Sequence, residues 1–197
     1  MIDESSEQTT KYKIFMAAAK LFSKRGYNGV SIREICEDTG LSKPTIYYYF
    51  GSKEGIYKAL VDYGVSIGEN QTQVILKKNV PIKQKLIELL QSAFRNTLDF
   101  PEFVKFFQNL FIVDEKLDFL DDVIHMANER RQRVAELIHE GIKKGEFGSS
   151  ADPQLVSDVL IGTATHFIWK QLTSNKKILT DQLAVDIIEF LFKGLNE

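Results

Sequence analysis

Two helix-start signals stand close together near the amino end, with a break between them. Ser31 and Glu34 form an S-x-x-E capping box: the serine side chain accepts from an early helical N–H, and the glutamate reaches back to the serine N–H. Thr39-Gly40 stops that helix within about two turns. Ser42 then caps a second short helix with Pro44 in its first turn, where a missing N–H costs nothing, and Gly51-Ser52 ends it. Two short helices joined by a tight glycine-containing turn are the sequence form of a helix-turn-helix, here over about residues 31–50. Ile32, Ile35 and Cys36 face inward from the first helix. Ile46 and Phe50, four apart, form the buried edge of the second.

That burial leaves Lys43, Thr45, Tyr47 and Tyr48 on the open surface. Tyr47, Tyr48 and Tyr49 are consecutive, and helical neighbours are about 100° apart, so the three rings cannot all be core. Tyr49, three residues after Ile46, is the one expected to be partly buried. In a helix-turn-helix the second helix enters the DNA major groove with its N-terminal residues foremost. Thr45 offers a hydroxyl and a methyl to a base edge; Tyr47, Tyr48 and Lys53 offer donors to phosphate oxygens, which set register without reading sequence. The free N–H groups at the start of the second helix, with Lys43 beside them, are expected to add an anion site.

Charge is distributed to match. The net charge is only −2. Residues 9–58 nevertheless carry nine Lys and Arg against four acids, while 1–8 and 59–197 are both net acidic. A basic head on a mildly acidic body points the head towards a polyanion. The longest stretch without a charge, Val159 to Trp169, is 11 residues and too short to span a bilayer. The single Cys36 excludes an internal disulfide and any multi-cysteine zinc site. The chain therefore reads as cytoplasmic, with no membrane partner, no metal and no cofactor.

The periodicity is helical nearly throughout. Ile14, Ala18, Leu21 and Phe22 form one stripe of a helix over about Thr10–Arg25. A fourth helix of roughly 15 residues opens after Ser52, and further helices are expected over about Pro81–Phe100, Pro101–Val113, Phe119–Lys144, 153–172 and 180–193. No window alternates with hairpin turn chemistry. The fold class is all-α, about nine helices: an N-terminal helix-turn-helix head over 1–58, read as DNA-binding, on a larger helical body over 59–197.

From Phe22 to Lys53 the chain reads F-x-x-x-G-Y, S-I-R-E-I, T-G-L-S-K-P-T-I-Y-Y-Y-F and S-K. In order, spacing and residue type this closely resembles the DNA-binding head of the TetR (tetracycline repressor) family, over about residues 10–60. The resemblance implies a transcriptional regulator, usually a repressor, because a dimer bound over a promoter excludes polymerase. It implies that Lys43, Thr45, Tyr47, Tyr48 and Lys53 are the main DNA-contacting positions, with Ser31 and Thr10 or Lys11 as further phosphate contacts. Pro44 stands where the family commonly has a small residue, often glycine; its ring either meets a thymine methyl or stiffens the helix start.

In the body, the last two helices are apolar too far round for one-sided burial. Leu183, Ala184, Val185, Ile187, Ile188, Phe190, Leu191, Phe192 and Leu195 cover most of one helix; Val156, Val159, Leu160, Ile161, Phe167, Ile168 and Trp169 do the same for the other. A two-fold partner using the same helices supplies the second burial surface, and the family resemblance implies such a homodimer. Two heads on a two-fold axis call for a palindromic double-stranded operator, with half-sites about one turn (~34–36 Å) or a multiple apart.

The middle of the chain is rich in phenylalanine: Phe94, Phe100, Phe103, Phe106, Phe107, Phe111 and Phe119. Bulky flat side chains around a few polar groups describe a small-molecule pocket as well as a core. The resemblance implies an effector pocket between the fifth to eighth helices, and Phe94, Phe103, Phe107, Phe111, His125, Asn128 and His166 are its candidate lining. Gln108, Asn109 and Arg131 are further polar candidates. Gly64 and Gly68 each cost about 1 kcal/mol within a helix, suggesting a compliant fourth helix between pocket and head. Two alternatives stand beside this reading: a constitutive DNA-binding regulator without a ligand, and an all-helical enzyme using the phenylalanine-lined cavity. His125, His139 and His166 are the only histidines and stand in no catalytic or metal-binding spacing. No enzyme activity and no catalytic residue are therefore expected.

Overall fold

The structure is a computed structural model that describes residues 4–110, 120–148 and 152–193. Among the described residues it is all helix: α1 (Glu4–Arg25), α2 (Ile32–Thr39), α3 (Lys43–Phe50), α4 (Lys53–Leu76), α5 (Ile82–Asp99), α6 (Pro101–Leu110), α7 (Leu120–Lys143), α8 (Pro153–Thr173) and α9 (Asp181–Lys193). The local signals act as the sequence suggests. Ser31 and Glu34 form both arms of the capping box, and Ser42 accepts from Thr45 N. Gly40, at φ 67°, adopts the left-handed conformation that closes α2 and returns its N–H to Cys36 O.

Two helices run beyond their expected bounds. α1 begins at Glu4 rather than Thr10. Its first residues are polar and give no apolar period, yet nothing in Glu-Ser-Ser-Glu-Gln-Thr breaks a helix. α4 is 24 residues long rather than roughly 15 and passes through both Gly64 and Gly68. At Gly64 the reason is close approach: a Cβ there would lie 2.3 Å and 2.4 Å from Cε2 and Cζ of Phe107 and 2.7 Å from Cε1 of Phe103. The glycine lets α6 rings press onto the α4 backbone, so packing, not compliance, accounts for it.

The helices divide into two compact units. The first comprises the described residues of Met1–Ile67 and Phe100–Val123. Ile14, Ala18, Phe22, Ile35, Ile46, Ile56, Leu60 and Phe106 are its fully buried centre. Phe106 meets Tyr57 edge-on at 5.0 Å, and Asn109 Nδ2 donates to Ser23 O at 2.6 Å, fastening α6 to α1. Asn109, a candidate pocket group from sequence, is thus a clamp inside this unit.

The described residues of Gly68–Asp99 and Ile124–Glu197 form the second unit. Its core gathers Ile82, Leu86, Phe94, Ile138, Leu179, Ile188 and Phe192, and Phe147 stacks on Phe192 at 3.9 Å between centroids. Arg95 grips Asp181 with two hydrogen bonds, Nε to Oδ1 at 3.1 Å and Nη2 to Oδ2 at 2.8 Å, joining α5 to α9. Among the described residues no helix is long and apolar enough to cross a membrane.

Candidate nucleic-acid interface

α2 and α3 are held by interactions that leave one face of α3 open. Ile46 is fully buried, while Phe50 and Tyr49 pack partly against the core of the first unit. The rings that remain project outward: Tyr47 is 39% exposed and Tyr48 73%. Lys43 Nζ lies 5.5 Å from the Tyr47 ring centroid, and the Tyr48 and Tyr49 rings meet edge-on at 5.2 Å. Lys43 has no acidic partner among the described residues, so the open face carries an uncompensated cation. Elsewhere in the head, Lys20 pairs with Asp38, Arg25 with Glu34 and Arg33 with Glu37. Three of its four acids are thereby neutralised, and the surplus charge is basic.

The expected anion site at the start of α3 is narrower than the sequence suggests. Pro44 has no N–H, the Thr45 N–H is taken by Ser42 Oγ at 3.2 Å, and that of Ile46 by Ser42 O at 3.1 Å. The cap consumes the groups an anion would use. Thr45 Oγ1 also shares a 2.8 Å hydrogen bond with Ser42 Oγ, which fixes its rotamer at the leading end of the helix. Pro44 is exposed beside it.

Two further positions are committed to internal bonds. Lys53 does not simply extend towards solvent: Nζ donates to Tyr27 O at 2.9 Å and to Val30 O at 3.0 Å, and lies 4.1 Å from the centroid of the Tyr27 ring. This ammonium ties the start of α4 to the turn between α1 and α2 and so sets the pose of the helix-turn-helix. Ser31 Oγ donates to Glu34 Oε2 at 2.8 Å, as does the Ser31 N–H at 2.8 Å. A hydrogen bond from Arg25, then those from the Ser31 hydroxyl and N–H, hold the Glu34 carboxyl at about 2, down from 4.5. The charged cap is therefore secure across the neutral range. Sequence reasoning missed the Lys53 lock because its acceptors are backbone carbonyls distant in the chain.

Candidate pocket residues fall into both units. Phe103 and Phe107, 5.3 Å apart between centroids, pack in the first unit; Phe94 is buried in the core of the second. Phe111 lies outside the described residues. His125 is exposed within 3.6 Å of Glu129 one turn on, Asn128 is exposed, and His166 is exposed with its ring 5.6 Å from Phe167. Arg131 is likewise exposed, its backbone carbonyl accepting from Ser157 Oγ at 3.1 Å.

On α8, Val156, Ser157 and Leu160 are buried, whereas Leu155, Val159, Gly162, His166 and Trp169 are exposed along one stripe. Their spacing alternates four and three, the interval of a helix–helix seam. On α9, Phe190 is 81% exposed.

Residues 14–60 match the profile of the family described as "Bacterial regulatory proteins, tetR family". Over those residues the chain carries the DNA-binding domain of that family. Over its length it is similar to the "Fatty acid metabolism regulator protein" of Bacillus subtilis, 22% identical over 204 residues, covering 96% of this chain and 98% of that protein. Its fold is similar to that of the ketosteroid transcriptional regulator KstR2 of Mycobacterium tuberculosis, with a TM-score of 0.79, 17% identity, and coverage of 95% of each chain. It is also similar to the transcriptional regulator FadR from Bacillus subtilis in complex with stearoyl-CoA, with a TM-score of 0.72, 20% identity, and coverage of 93% and 98%. Both solved structures are of transcriptional regulators, and the helix-turn-helix within residues 14–60 is this chain's DNA-binding element.

Proposed function

We propose that this TetR-family protein represses transcription by binding a palindromic operator as a homodimer, and that a small, largely apolar effector releases it. The observation that carries the reading is the open face of α3: Tyr47 and Tyr48 exposed beside an unpaired Lys43, on a helix capped at both ends. In this reading Thr45 and Pro44 meet base edges, while Lys43, Tyr47 and Tyr48 meet phosphates. Lys53 and Ser31 act first as positioning residues, and any remaining donor capacity of the Lys53 ammonium reaches the backbone. The functional division is a DNA-binding domain over 1–58 and an effector and dimerisation domain over 59–197, working in the cytoplasm as a regulator, not an enzyme.

Dimerisation through α8 and α9 is supported by the apolar stripe of Leu155, Val159 and Trp169 with Phe190. These side chains are an unusual solvent face for a monomer and a suitable seam for a second copy. Effector release is supported by the similarly folded transcriptional regulator FadR from Bacillus subtilis, whose structure is in complex with stearoyl-CoA. The test is selection of bound fragments from random DNA duplexes. Enrichment of a two-fold-symmetric sequence is expected; enrichment of an asymmetric one, or of none, refutes the reading.

A further inference from the structure

One cation at the edge of the operator face is already held by a carboxylate. Lys11 stands on α1, and its Nζ lies 5.7 Å from the centroid of the Tyr49 ring on α3, within the range of a cation–π contact. Tyr49 meets Tyr48 edge-on at 5.2 Å, and Tyr48 is the most exposed ring on the open side of α3. Through these two rings the Lys11 ammonium borders the surface that α3 offers to DNA.

Glu7, one turn earlier on α1, holds that ammonium through Oε1 at 3.3 Å. Both side chains are part-exposed, Lys11 at 46% and Glu7 at 38%, so an approaching duplex can reach them. The pair differs from others in the head. Lys20 with Asp38 and Arg25 with Glu34 each join α1 to α2 and so brace the motif. Glu7 and Lys11 lie four apart on one helix and join no two elements. An exposed pair of that kind adds little to stability. Its consequence is positional, because it sets a carboxylate at the rim of a surface that binds a polyanion.

A phosphate oxygen and Glu7 Oε1 compete for the same ammonium. When Lys11 turns to the DNA backbone it gives up its ion pair, and the released carboxylate is left near phosphates of like charge. Every complex that uses this contact is weakened by both effects. We propose that Glu7 is an intramolecular brake on DNA binding, occupying Lys11 in the free protein until a backbone phosphate displaces it. The brake sets how tightly, and with what salt dependence, the head holds a duplex. It does not choose the sequence, because phosphate contacts carry no sequence information. The proposal rests on the reading of α3 as the DNA-facing helix.

Fluorescence anisotropy of the full-length protein tests it, using the duplex the protein selects and a random duplex of equal length at several salt concentrations. Glu7→Gln removes the charge and keeps the length. It is expected to bind both duplexes about threefold or more tighter at low salt. The slope of log affinity against log salt should steepen by up to about 0.9 per head, the equivalent of one more neutralised phosphate. Glu7→Ala, which favours the helix, is the second variant and should behave alike. Lys11→Met is expected to cost more affinity in the Glu7→Gln background than in the wild type, and to remove most of the gain. Unchanged affinity and slope in both Glu7 variants overturn the proposal. A gain that persists in full with Lys11→Met also overturns it, since Glu7 then acts on the phosphates and not by holding Lys11. A gain confined to the selected duplex overturns it as well. Capture of neither duplex by the wild-type protein is a separate result, and it overturns the DNA-facing reading itself.

Discussion

Gly64 and Gly68 lie one turn apart on α4 and should respond oppositely to the same methyl group. Alanine gains about 1 kcal/mol over glycine in a helix interior at either site. At Gly68 little opposes that gain, because the nearest atom to an added Cβ is Arg130 Nη1 at 3.7 Å, an ordinary contact with a long side chain. Gly68→Ala is therefore expected to stabilise by up to about 1 kcal/mol. At Gly64 the added carbon would stand 2.3 to 2.7 Å from ring atoms of Phe107 and Phe103. Both rings are wedged among Phe106, Tyr63 and each other, with centroids 5.3 to 6.3 Å apart. Overpacking of this kind costs about 1–3 kcal/mol. After the helical gain, Gly64→Ala should destabilise by about 0–2 kcal/mol, giving a contrast of about 1–3 kcal/mol between the variants. Urea unfolding measured side by side gives the difference directly. Equal stabilisation by both substitutions would refute the packing account of Gly64 and restore compliance as its reason.

Three more outcomes follow from the geometry. Lys53→Met keeps the apolar stem but removes the ammonium that donates to Tyr27 O and Val30 O; a loss of about 1–3 kcal/mol in chemical denaturation, with weaker operator binding, is expected, and unchanged stability would show that the lock contributes nothing. As pH falls from 4.5 through about 2, protonation of Glu34 removes the acceptor for Arg25 and for the Ser31 hydroxyl and N–H. A depressed carboxyl stabilises the fold above its unfolded pKa and loses that effect on acidification, so the α2 cap should hold to well below pH 4.5; an NMR titration of the Ser31 amide with its midpoint at 4.5 would contradict this. Phe190→Glu, at a side chain 81% exposed, should leave the monomer fold intact and shift sedimentation from dimer to monomer; an unshifted dimer would move the interface off α9.

What the sequence disclosed and what it hid divide along a physical line. Caps and breaks are local, so Ser31, Gly40, Ser42 and Gly51 mark α2 and α3 within the chain itself, and Ile46 follows as the buried edge. The same local pattern separates Tyr48 from Tyr49, because one ring falls beside Ile46 and the other does not. Tertiary partners leave no such trace. Lys53 reads as a free donor until the carbonyls of Tyr27 and Val30 come within reach. Gly64 reads as a weak point until α6 sets two rings against it. The phenylalanines show the limit most plainly: composition groups Phe94 with Phe103 and Phe107, whereas the fold assigns them to different cores.

The central claim is that the outward side of α3 is what holds DNA. The most direct measurement is the affinity of Tyr47→Ala/Tyr48→Ala for the duplex selected by the wild-type protein, at fixed salt. Both rings are exposed and make no core contact that their loss would empty, so melting should stay close to wild type while operator affinity falls at least about tenfold, the loss of one or two phosphate contacts per head. A correctly folded double variant that binds the operator as tightly as the wild type would contradict the account.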